Sequence, residues 1–370
     1  MITPSTIPIP ALAPPANPGA GRSALLPEVT RLTAGLTVAL EGNSALPAPL
    51  TIVERKLPPR TSTFPNETVM CRFANGREER VFVKYEAGQS HESYGHRGGV
   101  NYEAKVYHHL LRHYPGFRPR CLGAHTDPQN GETWLVLEYI ENCVPVIEIP
   151  VKDPAREPIS MLESARWIAR FHAAHEQSAA PRSSNVTGFL KCYDAEYYTG
   201  WCRRTAQLTR PLHNVHPWLP ELCKKEAEWL AILLTAPQTI IHGEYYGKTL
   251  MFREGEVFPV DWESTALAVG EIDLAALTEG RHWPARVVEQ CERVYEKTRW
   301  PNSAHPSRTG SSSAPRASSP FHPTFQQTLD AARIYLHFRW LGERPDWTLR
   351  EKTLWRYDHL EAAAERLGLI

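Results

Sequence analysis

The sequence predicts an α+β protein in two parts, a small antiparallel sheet followed by a mainly helical region. Three observations carry this expectation. Short runs of alternating apolar and polar residues crowd the chain before position 142, and helical spacing dominates after position 143. A third feature interrupts the helices over 239–261, where two apolar runs end in carboxylates on either side of a tight turn at Glu254-Gly255-Glu256.

Taken in order, residues 1–22 hold Pro4, Pro8, Pro10, Pro14, Pro15 and Pro18 among small side chains, and predict a disordered tail. Over 23–40, Leu25, Val29, Leu32, Leu36 and Leu40 recur at near-helical spacing and predict one amphipathic helix. Strands follow over 51–54, 68–73 and 80–85, with Asn75-Gly76 as the turn between the last two. A helix over 100–114 and a strand over 133–139 complete the first part, 23–142, read as a small sheet crossed by one helix. The second part, 143–370, predicts helices over 159–176, 195–210, 220–234, 283–298, 325–341 and 349–367. Within it, 302–320 is rich in Ser, Pro, Arg and Gly and reads as a mobile low-complexity insertion.

Composition narrows the function. A chain of 370 residues is long enough to bury two cores. Lys plus Arg and Asp plus Glu number 41 each, so no net field draws the protein to nucleic acid or to an anionic membrane. Seven dispersed cysteines with no Cys-x-x-Cys pair predict reduced thiols. No cationic N-terminal region precedes an apolar core, and no apolar run reaches membrane-span length, so a soluble cytoplasmic enzyme is expected.

Two carboxylates near one hairpin are what phosphoryl transfer requires, one to orient a hydroxyl and one to hold a metal. In His242-Gly243-Glu244, Gly243 permits a turn that β-branched residues resist, and Glu244 is placed to accept or orient the attacking hydroxyl's proton. His242 is expected to hold the loop by hydrogen bonds rather than react; an ordinary strand-to-loop turn is the alternative. Asp261 ends the apolar run Val257-Phe258-Pro259-Val260 and offers a hard oxygen to Mg²⁺, which needs few carboxylates once phosphates are bound. Asp273 opens a helix and reads as a cap for its free amides. Upstream, Lys84 ends a strand and Glu103 begins a helix, a pair that can hold nucleotide phosphates or can be plain surface charge.

These motifs resemble the aminoglycoside phosphotransferase and choline kinase-like family of small-molecule kinases, which shares the protein-kinase fold. The resemblance runs from Lys84 to Ala276 and is densest over 239–277. The family's catalytic loop reads His-Gly-Asp, four variable residues, then Asn; its metal motif is an apolar-Asp-aromatic-acid strand end followed by Asp-Leu-Ala at a helix start. His242-Gly243, Val260-Asp261-Trp262-Glu263 and Asp273-Leu274-Ala275 fit that pattern. The resemblance implies a two-lobed protein-kinase-like fold, ATP (or GTP) and Mg²⁺ as cofactors, and transfer of the γ-phosphoryl group to a hydroxyl of an antibiotic or metabolite. It also implies that Lys84 binds the α- and β-phosphates, that Glu103 orients it, and that Glu138, Tyr139 and Ile140 border adenine. Asp261 and Thr249 would carry the metal.

Two positions depart from the family. Glu244 stands where Asp is expected, adding about 1.5 Å of reach, and Thr249 stands where Asn is expected. No Gly-x-Gly-x-x-Gly lies between Ile52 and Cys71; a Ser/Thr-bearing loop, Arg60-Thr61-Ser62-Thr63-Phe64-Pro65-Asn66, occupies that stretch. The departures leave a second reading open, a catalytically impaired pseudokinase serving as a nucleotide-binding or interaction module. A protein kinase is disfavoured, because the chain has no His-Arg-Asp loop and no Ala-Pro-Glu segment. For the acceptor, Tyr193 to Trp201 and His337-Phe338-Arg339-Trp340 are the aromatic-rich candidates, with ordinary helix packing as the alternative. Asp194 and Glu196 are available to a cationic acceptor.

Overall fold

The alternating strands lie early in the chain, as expected. In the computed structural model, which describes residues 26–41, 43, 45–58, 63–87, 95–149, 158–176, 188–280, 283–301, 323–343 and 348–370, the chain divides into two compact units. The tail expected at 1–22 and the insertion expected at 302–320 lie outside the described residues. One unit comprises 1–91 and 122–136, the other 92–121 and 137–370.

The first unit is built on strands β1 (Leu50–Lys56), β2 (Asn66–Phe73), β3 (Glu78–Tyr85), β4 (Cys121–Thr126) and β5 (Thr133–Glu138), in the order β1-β2-β3-β5-β4. β1, β2 and β3 pair antiparallel, with Asn66 opposite Lys84 and Val69 opposite Val81. Gly76, at φ 79°, closes the β2–β3 turn, and the Asn75 side chain accepts from the Arg77 amide at 3.0 Å. One face of the sheet buries Val69, Cys71, Val81, Val83, Trp134 and Val136 against Leu32, Leu36 and Ala39 of helix α1 (Val29–Ala39). Each fully buried aliphatic side chain here contributes about 1.5–3 kcal/mol. The helix on this sheet is therefore α1, at the spacing its leucines predict.

The helix expected over 100–114 forms as α2 (Gly99–His109) followed by a 3₁₀ turn at Leu111–His113. It belongs to the second unit rather than with the sheet, so the compact units part the chain differently from 23–142 and 143–370. The reason is hydrogen bonding: Tyr102 donates to the Thr265 carbonyl at 2.6 Å, and the Gly98 amide donates to the Glu263 carbonyl at 2.7 Å.

The rest of the second unit is mainly helical. Helices α3 (Ile159–His175), α4 (Ala195–Leu208), α5 (Trp218–Lys224), α6 (Glu226–Thr235), α7 (Glu271–Thr278), α8 (Ala285–Arg299) and α9 (Phe325–Glu343) precede a final helix at Trp355–Arg366. The single helix expected over 220–234 is two, broken at Lys225, which lets both α5 and α6 pack on α4. α9 is the central element, buried along its length and packed on α4, α6, α7 and the final helix. Two small sheets carry the loops between helices. β6 (Val144–Pro145), β9 (Leu250–Arg253) and β10 (Glu256–Pro259) form one; β7 (Lys191–Cys192), β8 (Gln238–Ile241) and β11 (Ala266–Val269) form the other. Among the described residues no helix is long and apolar enough to cross a membrane, and none of the seven cysteines is in a disulfide.

Candidate active site

Strand β8 pairs antiparallel with β11, setting Ile241 opposite Ala266 and aiming the following loop, 242–249, at the turn that leads into β11. Gly243 takes φ +83°, and a Cβ there would lie 2.2 Å from the Ser264 carbonyl oxygen, so only glycine fits. Asp273, in the first turn of α7, does not cap its own helix as expected. Its carboxylate accepts the amides of His242 at 2.6 Å and Gly243 at 2.9 Å, with His172 Nε2 at 3.2 Å. Burial pushes the Asp273 carboxyl up to about 6, and His242 and the two amides oppose that rise.

His242 ties the loop to the neighbouring strand. Its Nε2 donates to the Val260 carbonyl at 2.9 Å, and its Nδ1 accepts the Glu244 amide at 3.2 Å. The ring lies against Trp262, centroids 4.5 Å apart, and burial lowers its pKa. Tyr245 anchors the loop to α3 by donating to the Ser164 carbonyl at 2.9 Å. Thr249 turns its hydroxyl inward to the carbonyls of Glu244 at 2.7 Å and Tyr246 at 2.9 Å, bracing the loop's end.

Glu244 is buried in a cluster that the sequence motif does not reveal. Arg97, from the segment before α2, grips both carboxylate oxygens, Nη2 at 2.6 Å and Nε at 3.2 Å. The same guanidinium meets Glu263 at 3.2 Å and Glu343 at 3.2 Å. Arg339 of α9 pairs with Glu343 at 3.1 Å, lies 3.8 Å from Glu244 and donates to the Tyr246 hydroxyl at 2.7 Å. His96 Nε2 stands 3.7 Å from Glu244 Oε1. Burial pushes the Glu244 carboxyl up, but Arg97, with His96 and Lys248, outweighs it and holds the group well below the usual carboxylate range.

The second carboxylate, Asp261, follows a two-residue hairpin turn in which Glu254 and Gly255 take φ 51° and 88°. Asp261 itself adopts φ 65°, ψ 61°, an uncommon left-handed conformation for a residue with a Cβ, and is half-buried. The next residue, Trp262, is locked in place: its amide donates to Glu103 Oε1 at 3.0 Å and its indole N–H donates to the Pro259 carbonyl at 3.1 Å. Glu103 is thereby brought to the backbone just after Asp261. Among the described residues no group of three His, Cys, Asp or Glu side chains makes a self-sufficient metal cage. A hard carboxylate oxygen at Asp261 suits a cation that completes its shell with substrate phosphates and water, as Mg²⁺ does.

The remaining expected residues are placed as follows. Lys84 is buried in β3 of the first unit, its Nζ 5.6 Å from the centre of the Phe64 ring. Glu138 accepts from Arg118 at 2.6 Å and from the Arg120 amide at 3.1 Å; Tyr139 and Ile140 follow it half-buried. Residues 59–62 of the Ser/Thr-bearing loop lie outside the described residues. Tyr193, Tyr197 and Tyr198 cluster with Tyr335 of α9, while Asp194 caps α4 through the Tyr197 amide at 2.9 Å. Asp194, Glu196, Tyr197 and Trp201 line a surface groove of about 420 Å³. His337 and Phe338 are core residues, Arg339 joins the Glu244 cluster, and Trp340 donates to the Tyr246 hydroxyl at 2.7 Å.

No protein-family model matches the sequence, and no curated protein matches it. Solved structures do match. A choline kinase from Cryptosporidium parvum Iowa II aligns at a TM-score of 0.56 and 11% identity, over 93% of this chain and 98% of its own. The chain has the fold of small-molecule kinases. The choline kinase LicA from Streptococcus pneumoniae shares this kinase fold at a TM-score of 0.51 and 13% identity, over 86% of this chain and 94% of that one. A choline/ethanolamine kinase family protein from Mesorhizobium loti gives 0.51 and 14%, over 91% and 95%. A thermostable mutant of the aminoglycoside phosphotransferase APH(4)-Ia, in complex with ADP and hygromycin B, gives 0.50 and 12%, over 85% and 94%. At identities this low the likeness is one of fold: an α+β chain with a sheet-based N-terminal part and a helical C-terminal part, as the sequence predicts.

Proposed function

We propose that this protein is a nucleotide-dependent phosphotransferase that moves a γ-phosphoryl group from ATP or GTP to a hydroxyl of a small molecule. The observation that carries the reading is the coupling of the two acidic loops. His242 ties the Glu244 loop to the strand end before Asp261, and Asp273 pins the amides on which the Glu244 turn rests. These hydrogen bonds support positioning catalysis, where misplacement by about 1 Å costs roughly 10²-fold in rate. Glu244 orients the acceptor hydroxyl, and Lys84 is assigned to the nucleotide phosphates. Glu103 braces the metal motif, and Glu138, Tyr139 and Ile140 are assigned to the adenine. Asp261 would anchor Mg²⁺, with Thr249 bracing the loop beside it; the bound ion would supply charge neutralisation at the phosphates. The ADP complex of the phosphotransferase neighbour supports nucleotide as the donor.

One observation favours a second reading. Arg97 occupies both oxygens of Glu244, which suits a nucleotide-binding module with suppressed transfer. Calorimetric titration with MgATP, followed by turnover with choline, ethanolamine and hygromycin B, separates the two. The phosphotransferase reading expects MgATP binding lost in Asp261→Ala and Lys84→Ala, and acceptor-stimulated turnover reduced at least ~10²-fold in Glu244→Ala. Binding without turnover would shift the assignment to the impaired kinase, and absence of binding would sink both.

A further inference from the structure

We propose that His96 is a second catalytic residue of this site, taking the acceptor hydroxyl's proton on Nε2 while Glu244 pairs with the imidazolium that forms. The inference rests on the phosphotransferase reading above and names the proton's destination. His96 is 1% exposed, and its Nε2 has no hydrogen-bond partner among the described residues. A buried polar atom left in that state calls for an explanation, since most buried polar atoms are paired. Nε2 faces Glu244 Oε1 at 3.7 Å, too far for a direct hydrogen bond. A water about 2.8 Å from each would donate to both, whereas a substrate hydroxyl, with its single proton, would donate to Nε2.

The far side of the ring is built to hold this orientation. Nδ1 meets the hydroxyls of Tyr197 at 3.1 Å and Tyr193 at 3.3 Å, and the Tyr197 hydroxyl meets that of Tyr335 at 3.1 Å. Trp201 packs edge-on to the imidazole, and Lys191 fixes the backbone by donating to the carbonyls of Gly95 and His96. When Nδ1–H donates to a tyrosine oxygen, the Nε2 lone pair is left facing the acceptor position. Glu244 is the weaker sink for a proton, because Arg97 occupies both of its oxygens. Around His96, Glu244 and Glu343 favour a positive charge while Arg339 and Arg97 oppose it, and burial keeps the ring neutral before reaction. In the step itself the acceptor O–H bond breaks and its proton passes to Nε2. The oxygen bonds to the γ-phosphorus, and the bond from that phosphorus to the β-phosphate oxygen breaks with its electron pair leaving on the nucleoside diphosphate. The proton returns to solvent after product leaves.

The test uses the full chain with His96→Gln and His96→Ala, measuring MgATP affinity, MgATP hydrolysis with water in the acceptor's place, and transfer to the same three acceptors. The expected result is an unchanged MgATP Kd with kcat lowered on the order of 10²-fold in both variants. Added imidazole should restore part of the rate to His96→Ala, in proportion to its free-base fraction. Wild-type kcat in His96→Gln would reduce His96 to a packing residue and overturn the proposal while leaving the phosphotransferase reading intact. A wild-type chain that binds MgATP yet transfers to neither water nor any acceptor would overturn both. Should both replacements unfold the chain, the double variant Tyr193→Phe with Tyr197→Phe decides, since it removes both hydroxyls from Nδ1 and keeps the imidazole; an unchanged kcat there would overturn the proposal.

Discussion

At Glu244, a carboxylate one methylene longer than the aspartate expected in such a loop is met by Arg97, a residue that no motif marks. Deep burial makes this neighbourhood sensitive to protons. Burial lowers His96 to about 4, and it lowers His172 and His337 well below the ordinary histidine value. In the unfolded chain each titrates near 6.5. Through these histidines the unfolded state binds more protons than the folded one between pH 6.5 and 4, so stability falls as the pH drops through that window, with Asp273, raised to about 6, offsetting part of the loss. Below about 4.5 the paired Glu244 adds to the loss, because its folded pKa is depressed and acid must break its grip on Arg97. Urea unfolding at pH 7, 5.5 and 4.5 checks this, with stability expected to decline at each step. His96→Gln should make the decline shallower by up to about 1.4 kcal/mol per pH unit; an unchanged slope would mean that His96 is not buried neutral.

Among the elements, the loop between β8 and β9 depends on a conformation rather than on a side chain. Gly243 combines a positive φ with a close approach to the Ser264 carbonyl. Gly243→Ala is expected to cost about 1–3 kcal/mol of stability and to lower turnover at least tenfold while MgATP affinity stays near that of wild type. Thermal unfolding and steady-state kinetics on one preparation measure both, and normal turnover would show that the loop tolerates another path. The strands that announced themselves were those with alternation and a marked turn: β2 and β3 around Asn75-Gly76, and β9 and β10 around Glu254-Gly255. β4 leaves no signal in the sequence because Cys-Leu-Gly-Ala-His-Thr has neither alternation nor β-branched density, and Gly123 is there to let the strand approach the Ala39 carbonyl. β11 leaves none either, because Ala266–Val269 is buried on all sides and carries no period.

For the molecule as a whole, ligand linkage is the direct measure of the proposed site. MgATP at 100 times its Kd should stabilise the protein by about 2.7 kcal/mol, and the increment should vanish in Asp261→Ala; an equal increment in that variant would remove Asp261 from the nucleotide site. The division into two compact units follows from contacts rather than chain order, since residues 92–121 leave the sheet-bearing part of the chain and join the helical one. α2 makes that choice through Glu103, which accepts the amide of Trp262, 159 positions along the chain.

Short-range pattern encodes the amphipathic α1, the β2–β3 hairpin, the helical second half, and the loop that places Glu244 and Asp261 at the ends of apolar runs. Periodicity and turn chemistry act over a few residues, so they are legible in a single chain. Tertiary packing sends Asp273 to the His242-Gly243 amides instead of to its own helix. It alone brought Arg97 to Glu343 across 246 positions of sequence and set His96 beside Glu244 with one nitrogen unmatched. Those facts come from ion pairs and hydrogen bonds between distant segments, whose partners are chosen by packing geometry and leave no period in the sequence to read.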